Sequence, residues 1–281
     1  MTGRPAALLL LLLVVVTGCS SGTDDPTSTP TPSATTPTAS PTEPATRAPK
    51  PPPVPEVGSC YRLSYDQAVA PTSRIPSVPC RDGHATETFH VGRLERVVDG
   101  RLLAVDSRRL QDQVATTCPR LLPDHVGGTG EQRRLSMLRS VWFSPTLQQS
   151  DSGADWFRCD VVALARDSEL LELTGSLSGV LDTDEGRGRF GMCGTAEPGT
   201  EGFERVACSQ SHSWRALRTV SLSGPDYPGE GAAQRAGEEP CTAAGRVNAP
   251  DPLDFQWGYE WPNADQWESG QTYGICWAPQ V

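Results

Sequence analysis

Cysteine and histidine recur at one spacing in two places along this 281-residue chain. The segments Val78-Pro79-Cys80-Arg81-Asp82-Gly83-His84 and Val206-Ala207-Cys208-Ser209-Gln210-Ser211-His212 each place a His in the same register after a Cys. An imidazole beside a thiol can lower its pKa and accept its proton, which is the chemistry of a thiol nucleophile. Parity argues otherwise: beyond Cys19 there are eight further cysteines, and an even set in an exported chain reads as four disulfides with no thiolate left over. Zinc needs about four ligands, and His84, His90, His125 and His212 are the only histidines. No metal and no cofactor is therefore assigned. What remains for His84 and His212 is a structural or recognition role, the ring bonded to a backbone carbonyl or packed beside the Cys.

Other reaction classes find no footing. Acidic residues outnumber basic ones by 34 to 24, which speaks against nucleic acid, since phosphate binding relies on clustered Lys and Arg. No Gly-rich phosphate loop, Gly-x-Ser-x-Gly elbow or Ser-x-x-Lys pair occurs. Asp182, Asp184 and Glu185 lack the spacing of a calcium loop and read as a solvated linker. No residue is assigned a catalytic role, and the expectation is a non-enzyme. Aromatics gather near the C-terminus, where strand alternation puts Phe255, Trp257 and Tyr259 on one core-facing side. Trp261 and Trp267 are then the surface candidates, able to stack on sugar rings or anchor a protein interface.

The elements that carry these residues begin after an unusual N-terminal stretch. Arg4, an apolar run over 6–16 too short to span a bilayer, and Thr17-Gly18-Cys19 resemble a bacterial lipoprotein signal. The resemblance implies cleavage after residue 18 and acylation of Cys19, where two or three chains would hold the protein firmly on the membrane. Residues 19–57 are rich in Pro, Thr and Ser, too poor in large apolar side chains to offset ordering entropy. Such a tether, disordered and extended, reaches on the order of 100 Å.

Two sets of four cysteines follow: Cys60, Cys80, Cys118 and Cys159, then Cys193, Cys208, Cys241 and Cys276. Pro145, Gln149, Ser152-Gly153, Trp156 and Cys159 match Pro262, Gln266, Ser269-Gly270, Tyr273 and Cys276 without a gap, so an internal repeat is expected. Strands are expected over 85–97, 138–143, 156–165, 203–208, 213–222, 255–259 and 272–277. Helical periodicity covers 106–122, with Asp106 as cap and Leu110, Val114, Cys118 and Leu121 or Leu122 on one face. Its counterpart over 231–247 should break or kink at Pro240. Between the copies, an apolar patch around Leu171, Leu173 and Leu177 suggests one more strand. Spacing leaves three pairings open in each set of four. With the first and fourth Cys on framing strands and the third on the helix, the favoured bridges are Cys60 to Cys159, Cys80 to Cys118, Cys193 to Cys276 and Cys208 to Cys241.

The run Gly-x-Cys, Val-x-Cys-x3-His, a helix-borne Cys, and Pro followed by Trp or Tyr and a closing Cys resembles the septum-formation domain of actinobacterial envelope proteins. That family typically has Pro before the His, where Gly83 and Ser211 stand here. The resemblance implies a link to division or envelope maintenance and supplies no catalytic residues. The expected molecule is thus α+β: two tandem, small, β-rich, disulfide-stabilised repeats over 58–183 and 184–281, each with one main helix, after the disordered tether. Its expected place is the outer face of the cytoplasmic membrane, held by the lipid anchor. There it would act as a binding or scaffold module whose partner is an envelope or divisome protein or a cell-wall glycan. The alternative is an envelope hydrolase or ligand-carrying lipoprotein.

Overall fold

The computed structural model describes residues 52–280. The expected leader, the expected lipidation residue Cys19 and the expected tether up to residue 51 lie outside that range. Residues 52–57 carry neither helix nor strand. The described residues are mixed α and β, with seven α-helices and four disulfides. In chain order they run β1 (Cys60–Tyr61), α1 (Tyr65–Ala68), β2 (Thr86–Arg93), β3 (Val97–Val98), β4 (Arg101–Leu102), α2 (Arg108–Val126), α3 (Gly130–Arg134), β5 (Leu138–Phe143), α4 (Leu147–Asp151), β6 (Trp156–Arg166) and β7 (Glu169–Leu170). A 3-10 turn, Val180–Asp182, leads into α5 (Asp184–Phe190), β8 (Met192–Gly194), β9 (Arg205–Ala207), β10 (Trp214–Ser221), α6 (Glu230–Asn248), β11 (Gly258–Glu260), α7 (Ala264–Glu268) and β12 (Tyr273–Pro279).

One five-stranded sheet has the order β1-β2-β6-β5, with β7 on β6; a second has β9-β8-β10-β12-β11, and β3 pairs with β4 in a separate two-stranded ribbon. All the pairs are antiparallel. The registers agree between sheets. Cys60 stands opposite Glu87 as Cys193 stands opposite Arg215. His90 and Trp142 flank Cys159, and Arg218 and Tyr259 flank Cys276. A β-bulge interrupts β2 between Thr88 and His90 and β10 between Ala216 and Arg218, at the same distance from the preceding turn histidine. Where β9 pairs with β8, Val78 forms an isolated bridge to Cys60 in the first sheet.

The disulfides are Cys60–Cys80, Cys118–Cys159, Cys193–Cys208 and Cys241–Cys276, with Cα separations of 5.2, 5.3, 4.9 and 5.0 Å. This corrects the favoured pairing. Strand β2 lies between β1 and β6, and β10 between β8 and β12. Two strand spacings are about 10 Å, beyond the reach of a disulfide, which needs Cα atoms within about 7 Å. Cys159 instead faces α2, where Cys118 is the near neighbour, and Cys60 meets the turn that returns beside it.

Helix α2 starts at Arg108 with Ser107 as N-cap, not at Asp106. Its buried face is Leu110, Val114, Cys118 and Val126. Helix α6 runs through Pro240 without a break in its span and buries Ala233, Gly237, Cys241 and Gly245. The polar run after Asp182 is not a solvated linker. It forms α5, capped by Thr183, while Asp182 accepts from the Gly128 N–H at 2.8 Å. One apolar core extends through both sheets, joining Phe89, Val114 and Val161 to Met192, Trp214 and Trp277. The other face of the first sheet covers a smaller cluster around Tyr61, Phe143 and Trp156.

Candidate functional site

Each Cys-x3-His segment is a closed turn. The Cys is disulfide-bonded, and the His ring bonds back to the chain: His84 Nδ1 lies 2.9 Å from the Asp82 carbonyl oxygen and His212 Nδ1 lies 2.7 Å from that of Gln210. A carbonyl can only accept, so Nδ1 carries the proton in both. The sulfurs of Cys80 and Cys208 hold no thiol. The His84 backbone also exchanges hydrogen bonds with Leu173, at 3.1 and 2.8 Å. His84 is buried and its Nε2 has no partner among the described residues, whereas His212 Nε2 lies 3.1 Å from Gln280 Oε1. The two rings close separate turns, and the fold does not bring them into one site.

Sequence reasoning missed a buried carboxylate just beyond the first turn. Glu87, 3% exposed, points to the C-terminal end of α2. Ser176 Oγ and the Leu177 N–H donate to it, both at 2.6 Å, and His125 Nε2 lies 3.6 Å away while its ring stacks on Phe89. Burial pushes this carboxyl up, but His125, the Leu177 N–H and Ser176 outweigh it and hold it below its ordinary value. The cluster unites β2, α2 and the segment before the 3-10 turn, so no local sequence signal could have found it.

A second buried pair lies on the opposite face of the first sheet. Asp160 accepts from Thr86 Oγ1 at 3.0 Å and Thr88 Oγ1 at 2.7 Å, and Arg158 NH2 stands 3.3 Å from it. The Arg158 guanidinium lies over the Tyr61 and Phe143 rings, at 3.7 and 4.4 Å from their centroids. Desolvation raises the Asp160 carboxyl above its usual value, against the pull of Arg158, Thr88 and Thr86.

Between the sheets opens a cleft of about 400 Å³, lined by Met137, Arg139 and Leu164 on one side and Phe203, Arg205 and Glu260 on the other. Arg139 donates through one NH to the carbonyls of Ser136 and Leu138 at 2.8 and 2.7 Å. Burial draws its guanidinium below the usual arginine value, with Tyr273 opposing and Arg205 adding to that shift. The cleft glutamates are committed to ion pairs, Glu260 with Arg205 at 2.8 Å and Glu204 with Arg166 at 3.3 Å.

The aromatic candidates divide differently from expectation. Trp267 is buried, packed with Leu222 and Ala233 and tilted against Tyr227, because α7 folds it inward. Trp261 is half-buried beside Tyr259. Phe255 and Trp257 precede β11 and are half-buried too, so strand alternation does not place them in the core.

Fold and site together define a disulfide-stabilised α+β protein whose two buried carboxylates, Glu87 and Asp160, are held in internal networks, with an Arg-lined cleft between its sheets. A family model described as septum formation matches residues 137–276. That match starts just before β5 and ends at the last cysteine, running across the expected boundary at residue 183. Comparison with curated proteins and with solved structures finds no match.

Proposed function

We propose that this protein is a lipid-anchored, extracytoplasmic binding or scaffold module of the cell envelope that works at the division septum. The match to septum formation over 137–276 carries this reading. Four disulfides suit an oxidising compartment, and the lipobox-like Thr17-Gly18-Cys19 with its Pro/Thr-rich tether suits anchorage at the outer face of the cytoplasmic membrane. The shared strand order, register, bulge and disulfide pattern support descent of the two sheets from a tandem duplication. Because both cleft glutamates are already paired with arginines and the remaining carboxylate, Asp167, is exposed at the rim, the cleft suits recognition by a partner protein or glycan better than acid-base catalysis.

The test is a fluorescent fusion of the full-length chain in dividing cells, followed by in-cell crosslinking. The expected outcome is enrichment at the septum with division or cell-wall proteins among the crosslinked neighbours. Uniform distribution around the cell, with no such neighbour, overturns the proposal.

A further inference from the structure

The matched registers of the two sheets expose a difference between them. Glu87 and Arg215 hold the same place, each opposite the first Cys of its set. Phe89 and Leu217 are the bulge residues of β2 and β10. His125 and Asn248 stand at the same distance along their helices from Cys118 and Cys241. In the first sheet this corner is closed, since the chain itself crosses it and Ser176 and Leu177 donate to the Glu87 carboxylate. In the second sheet it is open. Arg215, Leu217 and Asn248 line a cavity of about 240 Å³, together with Gln132, Ser136 and Arg187.

The polarity of the open corner is reversed. No carboxylate among the described residues lines it, on a chain whose net charge is −10. Arg187 is engaged with Asp184 and with the Leu181 carbonyl. Arg215, by contrast, makes no ion pair or side-chain hydrogen bond among the described residues. Gln132 uses Oε1 to accept from the Thr129 N–H, which leaves its Nε2 as a donor. The closed corner completes an acceptor with donors. The open one therefore calls for an acceptor, and a planar guanidinium favours a carboxylate that it can grip with two parallel N–H bonds. Drug-sized sites occupy roughly 300–1,000 Å³, so this cavity holds one small acid group on a short stem.

We propose that the Arg215 corner is a binding site for a small carboxylate, either a free acid or the C-terminus of a peptide. This goes beyond the septal reading and does not depend on it. The test titrates the purified chain, disulfides intact, with N-acetyl-alanine, N-acetyl-alaninamide, N-acetyl-alanyl-alanine and inorganic phosphate, read by calorimetry and by the arginine Nε–H resonances. N-acetyl-alanine is expected to bind and to shift the Arg215 resonance, the amide to bind about tenfold or more weakly, and Arg215→Gln to lose the difference. Tighter binding of the dipeptide identifies a peptide terminus as the source, and equal binding a free acid; both support the site. Equal affinity for acid and amide, binding of phosphate alone, or an Arg215→Gln protein that binds as the parent does overturns it. Should Arg215→Gln fail to fold, the acid-amide comparison on the parent chain still decides.

Discussion

Glu87 and Asp160 are carboxylates buried in one sheet, and their surroundings push them in opposite directions. Around Glu87 the donors win over burial, so its folded value lies below the ordinary 4.5. Its contribution to stability is thus present above the unfolded value and is lost as pH falls through the depressed folded value. Glu87→Gln should therefore flatten the acid limb of a urea-midpoint-against-pH curve below 4.5. An unchanged acid limb would mean that the His125 cluster does not govern acid stability. Asp160 behaves oppositely: its raised folded value means that its contribution falls as pH rises past the ordinary 3.8. At neutral pH its partner matters more. Asp160→Asn leaves the buried Arg158 charge without its counter-ion, a loss of about 3–5 kcal/mol, whereas removing both charges by adding Arg158→Met should recover much of it. Denaturant unfolding of the two single variants and the double variant measures that coupling.

At the scale of elements, α6 is an approach surface for the aromatics beside it. Ala233, Gly237, Cys241 and Gly245 recur every fourth residue along its buried face. A methyl built on Gly237 would overlap the Tyr259 ring, and one on Gly274 would meet the other edge of that ring. The ring cannot shift away from one glycine without striking the other. Gly237→Ala, ordinarily a gain in helix propensity, should instead destabilise by about 1–3 kcal/mol in thermal or urea unfolding. The Tyr259 hydroxyl is buried without a partner, and burial pushes its pKa up to about 12. Tyr259→Phe should accordingly be neutral or stabilising, and in a spectrophotometric titration of the folded parent it should remove a phenol that ionises at about 12. Several of these elements were legible in the sequence. Strands β5 and β6 and the Leu110, Val114 and Cys118 face of α2 follow from apolar spacing, whereas Leu121 and Leu122 are half-buried and Val126 closes the face instead. The repeated Pro-x3-Gln spacing has a local cause: Thr146 with Gln149 and Asn263 with Gln266 form capping boxes that start α4 and α7, and Gly153 and Gly270 follow them with positive φ. Pro240 alone predicts a break or kink, since its local cost is real, yet the bond from Cys241 to β12 and the buried face hold the helix through it. The disulfide pairing and the Glu87 cluster were not legible, since both depend on which strands become neighbours, and spacing along the chain does not encode that.

Over the whole molecule, correspondence between the sheets does not amount to independence. Each half has its own pair of disulfides, but the core is shared, with Trp214 and Trp277 in the same cluster as Val114 and Phe157. Backbone bonds cross between the halves where Met137 donates to Phe190 and Met192 donates to Leu135, each at 2.8 Å. The Glu131 carboxylate accepts from the Thr219 N–H at 2.9 Å. A chain of about 100 residues buries a limited share of its surface, and severing this junction would expose Met192, Ala207 and Phe190, which the intact protein keeps almost wholly covered. The expected outcome is that segments 58–183 and 184–281, produced separately under oxidising conditions, lack the near-ultraviolet circular dichroism of the parent and scramble their disulfides. Produced together, they should assemble and recover both. Native dichroism and the Cys193–Cys208 and Cys241–Cys276 bonds in isolated 184–281 would show that each sheet is a self-sufficient domain and that the common core is only a contact between them.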